Sequence, residues 1–148
     1  MEFHKNLLEY ISQSLMTADE TIGVAESVTS GCLQLALSQM PNASQVYKGG
    51  MTAYTLPMKV KLLNVDKEES EACDCVSEKI AETMAFYYKG KIIYTNTLEL
   101  HPKTQALNAQ LYYTEFILGC FKTEINKNTE AKTKLGLKKN KDARIKVS

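Results

Sequence analysis

Apolar residues Phe3, Leu7, Leu8, Ile11, Leu15 and Met16 recur at helical spacing and predict an amphipathic helix over 3–16. A polar connection, 17–21, follows it. Ile22, Val24 and Ala25 form a short apolar segment that predicts a buried strand, ending in the polar loop of Glu26, Ser27, Thr29, Ser30 and Gly31. Leu33, Leu35, Ala36, Leu37 and Met40 predict a helix with one mostly buried side. Residues 41–44 have turn composition. Gly49 and Gly50 open a second predicted strand over 51–55, and Pro57 suits the first turn of a helix carrying Lys59, Leu62 and Leu63. Residues 66–71 predict a polar helix turn or loop. Ser77, ahead of Ile80, Ala81, Met84 and Ala85, predicts a capped helix. Lys89 and Gly90 mark a turn before an alternating strand over 91–100. Pro102 then starts a last helix with Leu107, Leu111, Tyr112, Phe116, Ile117 and Phe121 on its apolar side. Strands alternating with helices predict an α/β fold, helices layered on both faces of a small, mostly central sheet.

The 148 residues suffice for one domain with a real core, and 44% apolar composition fits a soluble globular chain. No apolar run reaches membrane-spanning length, so no membrane partner is expected. The first residues lack the apolar stretch of a signal peptide, and the expected location is the cytoplasm. Four cysteines, Cys32, Cys73, Cys75 and Cys120, are then expected as thiols. Cys73 and Cys75 have no second cysteine or histidine pair at zinc spacing, so no metal and no cofactor is expected. Charge changes the picture at one end. Residues 127–148 carry eight basic residues against Glu130 and Asp142, although the whole chain is only +1. This composition predicts a globular domain over 1–126 and a basic, disordered tail over 127–148. The tail has no Phe, Tyr or Trp on which bases stack, which argues against a nucleic-acid partner.

The candidate chemistry lies at 22–63. A strand, a polar loop and a helix N-terminus in that order leave backbone N–H groups without internal partners. A serine hydroxyl there can serve as a nucleophile, with free N–H groups to stabilise an oxyanion. Taken singly, the same residues have plainer uses: a serine at such a place caps a helix, a lysine such as Lys59 is solvated, and Tyr54 suits a strand.

Taken together, they are more specific. The stretch Ala25-Glu-Ser-Val-Thr-Ser-Gly31 resembles the A-E-S-x-T-G-G loop of the CinA C-terminal family. Residues 42–50, with Asn42, Ser44, Tyr47, Gly49 and Gly50, resemble its G-x-S-x-x-F-x-G-G. Residues 53–63, from Ala53 and Tyr54 through Lys59 to Leu62 and Leu63, resemble A-Y-S-N-x-x-K-x-x-L-L. Residues 76–85, with Val76, Ser77, Ala81, Met84 and Ala85, resemble V-S-x-x-V-A-x-x-M-A. The resemblance covers 20–86 with four motifs in order. It implies hydrolysis of the carboxamide of nicotinamide mononucleotide to nicotinate mononucleotide and ammonia, in a homo-oligomer. It implies Ser27 as nucleophile, Lys59 as the base that takes its proton, and Tyr54 as a relay or orienting group. A lysine base must give up its own proton, which burial or a neighbouring cation favours. Glu26, Thr29, Ser30, Gly31, Gly49 and Gly50 would then face substrate, with Thr29 and the N–H groups near Ser30 and Gly31 on the oxyanion or a phosphate.

Two departures accompany the match. Ser30 stands where the family has glycine. After Ala85 the family continues through a strand and a T-G-x-x-G-P-type loop that have no counterpart here, so the domain reads as shortened. Two readings follow: an amidohydrolase, impaired by the missing segment, or a non-catalytic relative that binds nucleotide or assembles with partners.

Overall fold

The computed structural model describes residues 2–73, 79–80, 103, 105–135 and 145–146. Helix α1 (Lys5–Ala18) leads into strand β1 (Ile22–Glu26), then α2 (Cys32–Ser38), the one-turn α3 (Ala43–Val46) and β2 (Tyr47–Thr52). Helices α4 (Leu56–Leu63) and α5 (Lys67–Ala72) follow, then the long α6 (Ala106–Leu135) and the short β3 (Ile145–Lys146). The strands form one sheet in the order β2-β1-β3, parallel throughout. This is the layered α/β class that the alternating pattern predicts.

Strand periodicity explains the layers. Alternate side chains on a strand point to opposite faces. Ile22 and Val24 of β1 join a core of Leu8, Ile11 and Leu15 from α1, Leu33, Ala36 and Leu37 from α2, and Leu118 and Phe121 from α6. Ala25, next after Val24 and so on the opposite face, pairs with Met51. Met51 packs on a second cluster of Ala53, Leu63, Val65 and Ile80. Helices α1, α2 and α6 therefore cover one face, and α4 with its flanking residues covers the other. Ser12 and Tyr10 hold α1 in place, through hydrogen bonds from Ser12 Oγ to the Pro41 carbonyl and from the Tyr10 hydroxyl to Asn126 Oδ1.

Chain chemistry sets the element ends. Asp19 and Asn64 adopt left-handed φ of 54° and 50° and end α1 and α4. Asp66 caps α5 by accepting from the Glu69 N–H at 2.8 Å, so the polar stretch over 66–71 is a helix. Two short elements differ from the pattern reading. Residues 43–46 close into a helical turn that overlaps the expected turn over 41–44, and β2 starts at Tyr47, before the two glycines rather than after them. Helix α6 meets the core through Leu111, Thr114, Leu118, Phe121 and Ile125, at spacings of three and four. It continues past residue 126, the boundary expected from composition, to Leu135, and Ile145–Lys146 pairs with β1. No glycine or proline interrupts the chain between Gly119 and Gly136, which removes the ordinary stop signals. The expected helix from Ser77 (apart from 79–80), the strand over 91–100, the start at Pro102, Cys75 and the segment after Ala85 lie outside the described residues. Among the described residues no helix is long and apolar enough to cross a membrane.

Thr114 gives a stability prediction. Its side-chain oxygen is enclosed and has no hydrogen-bond partner. Thr114→Val keeps the shape and removes the unpaired group, so it should stabilise the fold by about 1 kcal/mol. Thermal or urea unfolding checks this, and a loss of stability would show that the hydroxyl has a partner in solution.

Candidate active site

In open parallel sheets, ligands bind outside the carboxyl ends of the strands, where successive helices leave on opposite faces. The junction of β1 and β2 has this form. The loop after β1 feeds α2 on one face, and β2 feeds α4 on the other. Ser27 is the first residue after β1. Lys59 lies one turn into α4, with its backbone N–H donating to the Thr55 carbonyl at 3.0 Å. Lys59 and Leu63, four residues apart, share the buried face of α4.

Both side chains are almost wholly buried, Ser27 at 6% and Lys59 at 4% exposure. Neither makes a side-chain hydrogen bond or ion pair with a described residue, and they are not bonded to each other. Among the described residues only Thr114 carries an enclosed, unpaired side-chain polar atom. Ser27 and Lys59 thus stand almost wholly buried without a side-chain partner among the described residues. Tyr54 sits in the link between β2 and α4 and is 60% exposed, with no hydrogen bond to either. The residues expected to act together thus share one end of the sheet, with Tyr54 turned to solvent.

Glu26 is the largest difference from the expected site. Its side chain is fully buried. Oε2 accepts from Thr29 Oγ1 at 2.7 Å and from the N–H groups of Gly31 and Leu33, both at 3.1 Å. Oε1 accepts from the Gln34 N–H at 2.8 Å. The carboxylate expected among substrate contacts instead binds the chain itself, at the start of α2. A helix start attracts negative charge, and here the protein supplies it internally. The N–H groups expected on an oxyanion are engaged too. Ser30 donates to the Ser27 carbonyl at 2.9 Å, and Gly31 donates to Glu26. Among the described residues no acceptor engages the N–H groups of Val28 and Thr29, which directly follow Ser27.

The glycines divide by role. Gly31, at φ 93°, caps α2 in a conformation that favours glycine. Gly49 has φ 102° and open space around it, whereas Gly50 is packed against Gln34 and Val24. Gln34 in turn donates to Thr52 Oγ1 at 2.8 Å. Ser30 is exposed and holds φ 50°, a left-handed backbone on a residue with a side chain. That conformation costs a non-glycine residue about 1–2 kcal/mol, against about 0.5–1 kcal/mol for the extra freedom of an unfolded glycine. Ser30→Gly should therefore stabilise the fold by about 0.5–1 kcal/mol, measurable by urea unfolding. An unchanged midpoint would mean that the loop relaxes in solution. Among the described residues no cluster of His, Cys, Asp and Glu could hold a metal, and Cys32, Cys73 and Cys120 are free thiols.

Residues 4–95 match the family model of the CinA C-terminal domain. A CinA-like protein from Synechocystis sp. is 45% identical over 73 residues, 49% of this chain and 18% of that protein. A putative competence-damage inducible protein from Streptococcus pyogenes is 44% identical over 71 residues, 48% of this chain and 17% of its own length. The chain thus spans about a fifth of the length of these relatives or less. A crystal structure of a CinA superfamily protein from Escherichia coli superposes with a TM-score of 0.53 at 30% identity, over 59% of this chain and 54% of that one. The competence or damage-inducible protein from Enterobacter asburiae superposes with a TM-score of 0.70, over 82% of this chain and 97% of that one. At 17% identity that second likeness is one of fold.

Proposed function

The chain belongs to the CinA C-terminal domain family, and from that premise we propose that it is a nicotinamide-nucleotide amidohydrolase working through Ser27 and Lys59. The observation that carries the reading is that Ser27 and Lys59, both almost wholly buried and without a side-chain partner among the described residues, stand together at the carboxyl end of β1 and β2. Burying a hydroxyl and an amino group without protein partners among the described residues is unfavourable.

In the proposed reaction, Ser27 Oγ attacks the carboxamide carbon while its proton passes to Lys59 Nζ. The oxygen that gains charge faces the N–H groups of Val28 and Thr29, which no described residue engages, the first belonging to the residue after the nucleophile, as in other serine hydrolases. The carbon–nitrogen bond breaks and ammonia leaves with the proton from Lys59. Water then cleaves the Ser27 ester and releases nicotinate mononucleotide. Tyr54 is exposed and is given an orienting role on bound substrate rather than a relay inside the apo site. The resemblance also supports a homo-oligomer, to be read by sedimentation.

The direct experiment is ammonia release from nicotinamide mononucleotide, with the nucleotide product identified by mass. Turnover is expected to fall below that of a relative carrying the glycine-rich loop, because lost positioning removes several kcal/mol of catalysis. If inserting that loop from such a relative gives no ammonia either, the substrate assignment fails.

A further inference from the structure

Glu26 is a fully buried carboxyl group to which the proposed reaction gives no chemical step. Its carboxylate draws four donors from one short segment: Thr29 Oγ1 and the N–H groups of Gly31, Leu33 and Gln34. No lysine or arginine among the described residues pairs with it. The loop therefore closes around its own anion. The Glu26 backbone is fixed as well, since its carbonyl accepts from the Ala53 N–H at 2.9 Å, just beyond the end of β2. Ser27 lies between these two restraints, and its own carbonyl accepts from Ser30 at 2.9 Å. Ser27 is thus flanked by bonded residues, Glu26 before it and Thr29 and Ser30 after it.

We propose that Glu26 is a positioning residue: its carboxylate, bonded among the described residues to the chain's own loop alone, fixes that loop so that Ser27 Oγ meets the carbon, and the Val28 and Thr29 N–H groups the oxygen, of the same carboxamide carbonyl. The inference rests on the amidohydrolase reading, and it assigns Glu26 no contact with substrate. It also places the phosphate of a nucleotide substrate away from the start of α2, where Glu26 already neutralises the attraction for anions.

Glu26→Gln keeps size but removes the charge and turns one acceptor into a donor that faces N–H groups. A reacting atom displaced by about 1 Å costs on the order of 10²-fold in rate. The experiment measures kcat and KM for ammonia release, and in parallel deuterium exchange over 26–34, for wild type, Glu26→Gln, Glu26→Asp and Thr29→Val. The expected result for Glu26→Gln is kcat lower by about 10²-fold with KM within about threefold, and faster exchange in 26–34 but not in α1. Glu26→Asp, which keeps the charge on a shorter arm, should recover part of kcat. Thr29→Val, which removes one bond of the four, should give a smaller loss if Glu26→Gln does not fold. A raised KM with kcat retained would make Glu26 a substrate contact and overturn the inference. Unchanged exchange in 26–34 would overturn it as well. Wild type that releases no ammonia would sink the proposed function alone, and faster exchange in the variant would still establish the clamp.

Discussion

Ser27→Ala should abolish ammonia release, by a factor on the order of 10⁴ or more, because it removes the attacking oxygen of the proposed mechanism. Lys59→Arg should fall by about 10²–10⁴, since guanidinium stays protonated at working pH and cannot take the serine proton. Lys59→Met separates chemistry from structure. The Lys59 side chain is buried and its amino group has no partner among the described residues. Replacing it by a side chain of similar length without charge should raise stability by about 1–3 kcal/mol while turnover is lost. Opposite movements of stability and rate are the signature of a residue kept for function. A lysine that merely supports α4 would lose both together. Tyr54→Phe should cost about tenfold or less, because it removes one hydrogen bond from an exposed ring. Paired denaturation and ammonia assays on the four variants decide these points. Turnover that survives Ser27→Ala would end the serine mechanism.

The elements around the site were legible where one short signal sufficed. Ile22, Val24 and Ala25 between polar stretches marked β1, Gly31 marked the start of α2, and Pro57 marked the first turn of α4. The two candidate catalytic residues were found by motif, and their burial could not be read from type, since both are usually exposed. Glu26 shows why the rest was hidden. An acid after an apolar segment reads as a loop carboxylate or an ion-pair partner. Its four donors come from residues three to eight positions later, and they converge only once α2 turns its start back toward β1. One signal was present: an acid followed by threonine at the third place and glycine at the fifth, ahead of an apolar helix. Negative charge suits a helix start, so that spacing permits a side chain to cap from the preceding strand. Helix α6 was legible only in part: Leu111, Ile117 and Phe121 meet the core as expected, but Leu107 and Tyr112 are exposed while Thr114 and Leu118 are buried, so the buried face is turned from the expected one, and the backbone runs on to Leu135 past the last core residue, Ile125.

Gly49 and Gly50 should separate in a way that a shared role in substrate binding would not produce. A Cβ on Gly50 would lie 2.6 Å from both Cγ and Cδ of Gln34 and 2.7 Å from Cγ2 of Val24. Neither neighbour yields easily. Val24 is in the core, and Gln34 is held by its bond to Thr52 and by its own N–H on Glu26. Gly50→Ala must therefore push α2 away from the sheet, and overpacking of this kind costs about 1–3 kcal/mol. Because α2 carries two of the Glu26 donors, the displacement reaches the Ser27 loop, and turnover should drop along with stability. Gly49→Ala meets no atom within 4 Å, but φ 102° strains any residue with a side chain, for about 1–2 kcal/mol. Its loss should appear in stability with turnover per folded molecule nearly unchanged, since the strain is local to β2. Urea unfolding and ammonia release, measured on both variants at a temperature where each is folded, distinguish the two. Equal loss of turnover in both, with stability retained, would return the glycines to the substrate surface and remove close packing as the reason for Gly50.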